Sequence, residues 1–256
     1  MPAAAGRGSR ASAKHSDPPD PAKGARPAAL AAAVVLLGAA NLLNNRLLPG
    51  AYVATCTLAA ALALLLARLD GCSWDGLGLG RGSWASGLRW SLALVAVMLA
   101  ADLAAAALPA TRVAFLDTRA AGLGGGEVLV RCLVRIPLGT ALLEETGFRG
   151  VLYAMLARRW RLPVAVAASS LLFGLWHVLP SLGLPRENAA VHRLVGTGRL
   201  GTAAAVAGAV AGTALAGVVF CELRRRSGSL LAPFVLHWAT GAVALLLAWR
   251  LTAAAG

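Results

Sequence analysis

The chain has 256 residues, 58% of them hydrophobic and 14% charged. Soluble domains carry about 25% charged residues, so a soluble globular class is excluded at the outset. The formal net charge of +13 raises nucleic acid as a partner. The 22 arginines, however, sit in short clusters between apolar runs, as topology determinants do. No basic stripe with interleaved aromatics appears, and nucleic acid is set aside.

In chain order, residues 1–27 are rich in Ala, Pro, Gly, Ser and basic side chains and read as a disordered basic tail. No clear cleavage site follows it, so it is expected to stay attached. Apolar segments then run over 28–44, 51–67, 86–108, 127–157, 163–180, 200–222 and 229–249. Most approach the roughly 20 residues that cross a 30 Å hydrocarbon core as a helix. Only helices and closed barrels satisfy their backbones in lipid, and the alternation of barrel strands is missing. The expected fold is all-α, a polytopic transmembrane bundle of seven helices. Eight is the alternative, because 127–157 is long and contains Pro137. Residues 28–126 read as N-terminal helices and a loop, and 127–249 as the core that carries chemistry. Within the loop 109–126 a short surface helix is expected.

Assigning every Arg and Lys except Arg149 to the inner or outer side of the seven segments gives 14 on the N-terminal side and 9 on the other, which places the N-terminus in the cytoplasm. Ala204, Gly208, Gly212 and Ala216 form a small-residue stripe, read as a surface for close packing within the bundle. Cys56, Cys72, Cys132 and Cys221 form no CxxC pair, so neither a disulfide framework nor a cysteine metal site is expected.

Three apolar segments carry ionisable groups at membrane depth, where such a group is a functional-site hypothesis by default. The first contains Glu144-Glu145 with Arg149, and Glu145 stands four residues before Arg149, the favourable order for an ion pair. Glu144 points about 100° away around the helix and is left free for chemistry. The second contains Phe173 and His177 on one face, and the third reads Ser227-Gly228-Ser229 and then Pro233 and His237. Gly228 breaks the turn, Ser229 can cap the helix and Pro233 is tolerated early in it. At 1.5 Å per residue Glu144 and His177 lie roughly 20 Å from the inner ends of their helices, and His237 roughly 12–15 Å. One polar layer is the expectation. A carboxylate and an imidazole at one water act as a general base, whereas two imidazoles and one glutamate match the His₂Glu set of catalytic zinc. The residues leave zinc and a metal-free site both open. A Ser170–His177 pair shares a face but has no third member. Asp102 reads as a structural partner of a polar neighbour, and Glu187 and His192 as solvated.

These blocks, in this order, resemble the CPBP intramembrane proteases, which include the type II CAAX prenyl endopeptidases and the bacterial Abi or bacteriocin-immunity proteins. Their pattern is EExxxR, then FxxxH, then HxxxN. Glu144, Glu145 and Arg149 match the first block, Phe173 and His177 the second, and His237 the third. The resemblance implies an intramembrane endopeptidase of a bacterial plasma membrane, acting on a peptide or protein substrate near the cytoplasmic half of the bilayer. It gives Glu144 and His177 the activation of water, Glu145 and Arg149 a supporting role, and His237 the developing oxyanion. The cavity is expected among helices four to seven. Where the pattern has Asn this chain has Gly241, which donates nothing. A catalytically weak member acting as a membrane binding or immunity protein is the alternative. A small proton-coupled transporter is a second one, though no inverted repeat supports it. Substrate identity and oligomeric state are not legible in the sequence.

Overall fold

A computed structural model describes residues 25–253, so the basic tail expected over 1–27 lies outside the described residues except for its last three. Seven long helices follow: α1 (Pro27–Leu47), α2 (Pro49–Leu69), α3 (Trp84–Ala107), α4 (125–157), α5 (Leu162–Trp176), α6 (Arg199–Ser227) and α7 (Leu231–Ala253). Each corresponds to one apolar segment of the sequence. No strand occurs among the described residues; Asp117 and Asn188 form one isolated antiparallel bridge.

Five helices are long and apolar enough to cross a membrane: α1, α2, α3 with the turn that leads into it, α6 and α7. A sixth arises if α5 and Val178–Glu187, bent by 41°, count as one span. Seven helices are present, but length and apolarity alone qualify only five or six of them as spans, and the reason is chemical. Helix α4 holds Glu127, Arg131, Arg135, Glu144, Glu145 and Arg149, too many charges for a free-standing span. Side chains such as Val35, Leu58, Leu92, Val97 and Leu215 are exposed around the bundle. An apolar belt of this kind belongs in lipid.

Helix α4 neither splits nor breaks at Pro137. Its turns widen instead, over Arg131–Ala141 and again over Glu145–Leu152. The Leu142 N–H bonds the Pro137 carbonyl and the Tyr153 N–H bonds the Phe148 carbonyl, five residues back in each case. A proline ring clashes with the carbonyl four residues before it in an ordinary α-turn, and a wider turn relieves that clash. Such widened turns recur at functional sites.

Helices α5 and α6 pack closely because Gly174 has no side chain; a Cβ there would lie 2.6 Å from the Val210 carbonyl oxygen. The small-residue stripe does not make this contact. Ala204, Gly208 and Gly212 are exposed, and a Cβ added at either glycine meets nothing within 4 Å. The packing surface of α6 is the face holding Val210, Ala214 and Gly217. In the 109–126 loop the expected surface helix is three single turns: Pro109–Arg112, Val113–Phe115 and Thr118–Ala120.

At the end of the bundle holding the α2–α3, α4–α5 and α6–α7 connections, Asp70 joins three elements. Its side chain is fully buried; Oδ1 accepts from Arg26 N and Nε at 3.2 and 2.9 Å, and Oδ2 lies 3.3 Å from Arg158 Nη1. Arg159 donates to the Ala25 carbonyl oxygen at 3.3 Å. The starts of α1 and the ends of α2 and α4 are thereby tied together. Asp70→Asn keeps the shape but removes the charge that two arginines share. It is expected to lower unfolding stability by about 1–3 kcal/mol, read as a drop in the denaturation midpoint in detergent.

Candidate active site

Three helices bring the ionisable groups of the motifs to one place. Glu144 and Glu145 lie at the junction of the two widened stretches of α4, and both are buried. His177 is the residue at which α5 ends, before the chain bends into Val178–Glu187. His237 lies in the second turn of α7, whose start is fixed by Ser229 Oγ accepting from Leu231 N at 3.3 Å.

Both imidazoles are oriented through Nδ1. That of His177 donates to the Phe173 carbonyl oxygen at 2.9 Å, and that of His237 to Glu145 Oε1 at 2.7 Å. A proton held on Nδ1 leaves Nε2 of a neutral ring as an acceptor. The two Nε2 atoms stand 3.9 Å (His177) and 3.7 Å (His237) from Glu144 Oε2. The other carboxylate oxygen, Glu144 Oε1, accepts from Trp176 Nε1 at 3.0 Å. Glu144 is thus not without a partner, as the helical-wheel reading had it. Nor does it diverge from Glu145, since both carboxylates reach His237, one from each side of the ring.

Arg149 is fully buried and forms the expected ion pair, its Nη1 3.3 Å from Glu145 Oε1. The guanidinium also lies over the Phe173 ring at 3.8 Å and the Phe220 ring at 5.0 Å. The ring quadrupoles supply the attraction that water supplies elsewhere. Two carboxylates and one guanidinium leave the cluster one excess negative charge when both imidazoles are neutral.

A cavity of about 560 Å³ begins one helical turn beyond the cluster. Thr140 is one turn before Glu144, Gly241 one turn after His237 and Pro180 three residues after His177, and all three line it. Tyr52, Ile136, Arg135 and Arg131 form walls, and Asp117 and Arg119 belong to the loop at its mouth. The walls therefore come from α1, α2, α4, α7 and loops, not from helices four to seven alone. Burial works to raise the Asp117 carboxyl, but the bonds from Arg119 outweigh it and hold the group below its usual range.

Of the other residues singled out by sequence, Ser170 is buried against Cys221, away from any imidazole. Asp102 is half-buried and has no ion pair or hydrogen bond among the described residues, so the polar neighbour expected for it is not found. His192 is exposed, and Glu187 pairs with Arg119 at 3.3 Å. Sequence reasoning missed Trp176 and Tyr52. The signal for Trp176 was its place beside His177, because a buried indole N–H needs an acceptor.

The donor set matches zinc in kind, and each ring nitrogen is oriented as metal-bound histidines are. In spacing it is a little wide. Bonds of 2.0–2.2 Å in a tetrahedral shell put donors about 3.3–3.6 Å apart, against 3.7 and 3.9 Å here. No group of three or more His, Cys, Asp or Glu side chains among the described residues has metal-binding geometry.

The motifs thus meet as an acid–imidazole cluster buried in a bundle of apolar helices, with a cavity one turn away. Residues 126–243 match the family model described as type II CAAX prenyl endopeptidase Rce1-like, a stretch that contains every residue of the cluster. The matched stretch, just under half of the chain, is similar to this family of intramembrane proteases. No curated protein and no solved structure matches the chain.

Proposed function

We propose that the chain is an intramembrane endopeptidase that hydrolyses a peptide bond of a membrane-associated substrate with water activated by Glu144 and His177. The observation that carries this reading is the convergence of three acceptors: Glu144 Oε2, His177 Nε2 and His237 Nε2. Separations of 3.7 and 3.9 Å are too long for a direct N–H···O bond and suit two hydrogen bonds through one water molecule. Trp176 holds Glu144 Oε1, so Oε2 is the oxygen that faces this position.

The water oxygen attacks the scissile carbonyl carbon while its proton passes to Glu144 Oε2. The same proton then moves to the leaving nitrogen as the C–N bond breaks. Glu145 and Arg149 hold His237, which keeps the charge of the cluster fixed. The arginine-dense connections 158–161 and 224–226 lie at the end opposite the cavity mouth. With those loops and the N-terminus inside, the cavity lies toward the outer face of a plasma membrane of bacterial type, not in the cytoplasmic half expected from the sequence. A second reading, a membrane-binding member without catalysis, is favoured by Gly241, which presents no donor to the cavity.

The full chain, reconstituted in phospholipid vesicles and given a fluorogenic prenylated CAAX peptide, tests the proposal. His177→Ala is expected to lower cleavage about 10²–10⁴-fold. Cleavage that survives His177→Ala and His237→Ala together refutes it and leaves the binding reading.

A further inference from the structure

Hydrolysis of an amide places negative charge on the carbonyl oxygen, and a donor aimed at that oxygen is worth a large share of the rate. His237 is the residue to which the resemblance assigns that task, but its geometry commits it elsewhere. Nδ1 is bonded to Glu145 and Nε2 faces Glu144, so both ring nitrogens are turned toward carboxylates. The donor must come from another wall of the cavity.

Among the side chains lining the cavity, several donors are already engaged. Asn45 donates to the Asn41 carbonyl and side-chain oxygens, Arg131 pairs with Glu127, Arg119 pairs with Asp117, and Asn188 donates to the Ala114 carbonyl. Tyr52, Thr140 and Arg135 remain; Tyr52 and Thr140 meet each other, hydroxyl to hydroxyl, at 3.1 Å, while the Arg135 guanidinium is turned onto the Tyr52 ring. Thr140 is one turn from Glu144 on α4 and lines the cavity. The position of the ring is built into the backbone. A Cβ at Gly139 would lie 2.6 Å from Tyr52 Cε1 and 2.7 Å from Cδ1, so only glycine admits the ring against α4. One turn before Gly139, the Arg135 guanidinium lies 4.8 Å over the ring. A cation over a phenol draws electron density from it and strengthens its O–H as a donor.

We infer that Tyr52 is a further catalytic residue, its hydroxyl donating a hydrogen bond to the carbonyl oxygen of the bound peptide as that oxygen becomes anionic. Either hydroxyl can donate in the Tyr52–Thr140 bond; with Thr140 as the donor, the phenolic proton is left for the cavity. No proton is transferred by Tyr52; it stabilises charge while the water proton travels through Glu144. The inference rests on the peptidase reading and assigns that site a component from α2, outside the stretch that the family model matches.

The test uses the full chain in vesicles with the fluorogenic prenylated CAAX peptide and with a phosphinate isostere of the same peptide, whose tetrahedral oxyanion imitates the intermediate. Tyr52→Phe removes only the hydroxyl. It is expected to lower kcat about 10²-fold with KM within twofold, and to weaken the phosphinate in proportion to kcat. The denaturation midpoint is expected to stay unchanged, since the ring and its stacking remain. Gly139→Ala, which pushes the ring off α4, is expected to give the same kcat-selective loss. A kcat within threefold of the parent in Tyr52→Phe, with Glu144→Gln inactive, overturns the role of Tyr52 and leaves the peptidase reading standing. Retained cleavage by Glu144→Gln overturns both.

Discussion

Replacing Glu144 by Gln is expected to lower peptide cleavage at least about 10³-fold while the folded bundle becomes no less stable. The amide has the size of the carboxylate and can still accept from Trp176 through its oxygen. It cannot take a proton from water, so the general base is lost, an effect of about 10²–10⁴ in rate. The stability half of the expectation follows from charge. Glu144, Glu145 and Arg149 leave one excess negative charge in a buried site, and a neutral side chain at 144 removes it. Active sites tolerate such uncompensated charge at a cost in stability. The paired measurement is cleavage rate and denaturation midpoint of the same preparation. Full activity in this variant would end the glutamate-based mechanism.

The second large effect is on folding. Arg149→Met leaves Glu145 fully buried without its guanidinium, and removing one partner of a buried pair costs about 3–5 kcal/mol. Adding Glu145→Gln to it is expected to recover most of that loss, because replacing both partners of such a pair by neutral groups is often near neutral. Activity is not expected to return with stability, since Glu145 Oε1 is also what orients His237. A single variant that unfolds at the parent's midpoint would show that the ion pair and the two aromatic rings contribute nothing.

Much of this was legible in the residues. Apolar length alone located all seven helices, because the requirement to satisfy backbone groups in lipid leaves few other solutions. The spacing of Glu145 and Arg149 gave their ion pair, and three intramembrane ionisable motifs gave the cluster. What was not legible depended on local helix geometry or on which face meets which neighbour. An ideal helical wheel sends Glu144 away from Glu145, yet the widened turns of α4 let both reach His237. The small-residue spacing in α6 was visible, but not that Gly208 and Gly212 face outward while Val210 and Ala214 meet α5. Tyr52 carried no signal, because its relation to the site runs through Gly139 and Thr140, residues nearly ninety positions distant.

The charge content of α4 has a consequence for how the protein is made. A segment with six ionisable residues gains little from entering hydrocarbon by itself, whereas α1, α2 and α3 can each enter alone. Helix α4 is therefore expected to wait at the insertion machinery until earlier helices shelter its arginines and glutamates, coupling the biogenesis of the chain to the assembly of its chemistry.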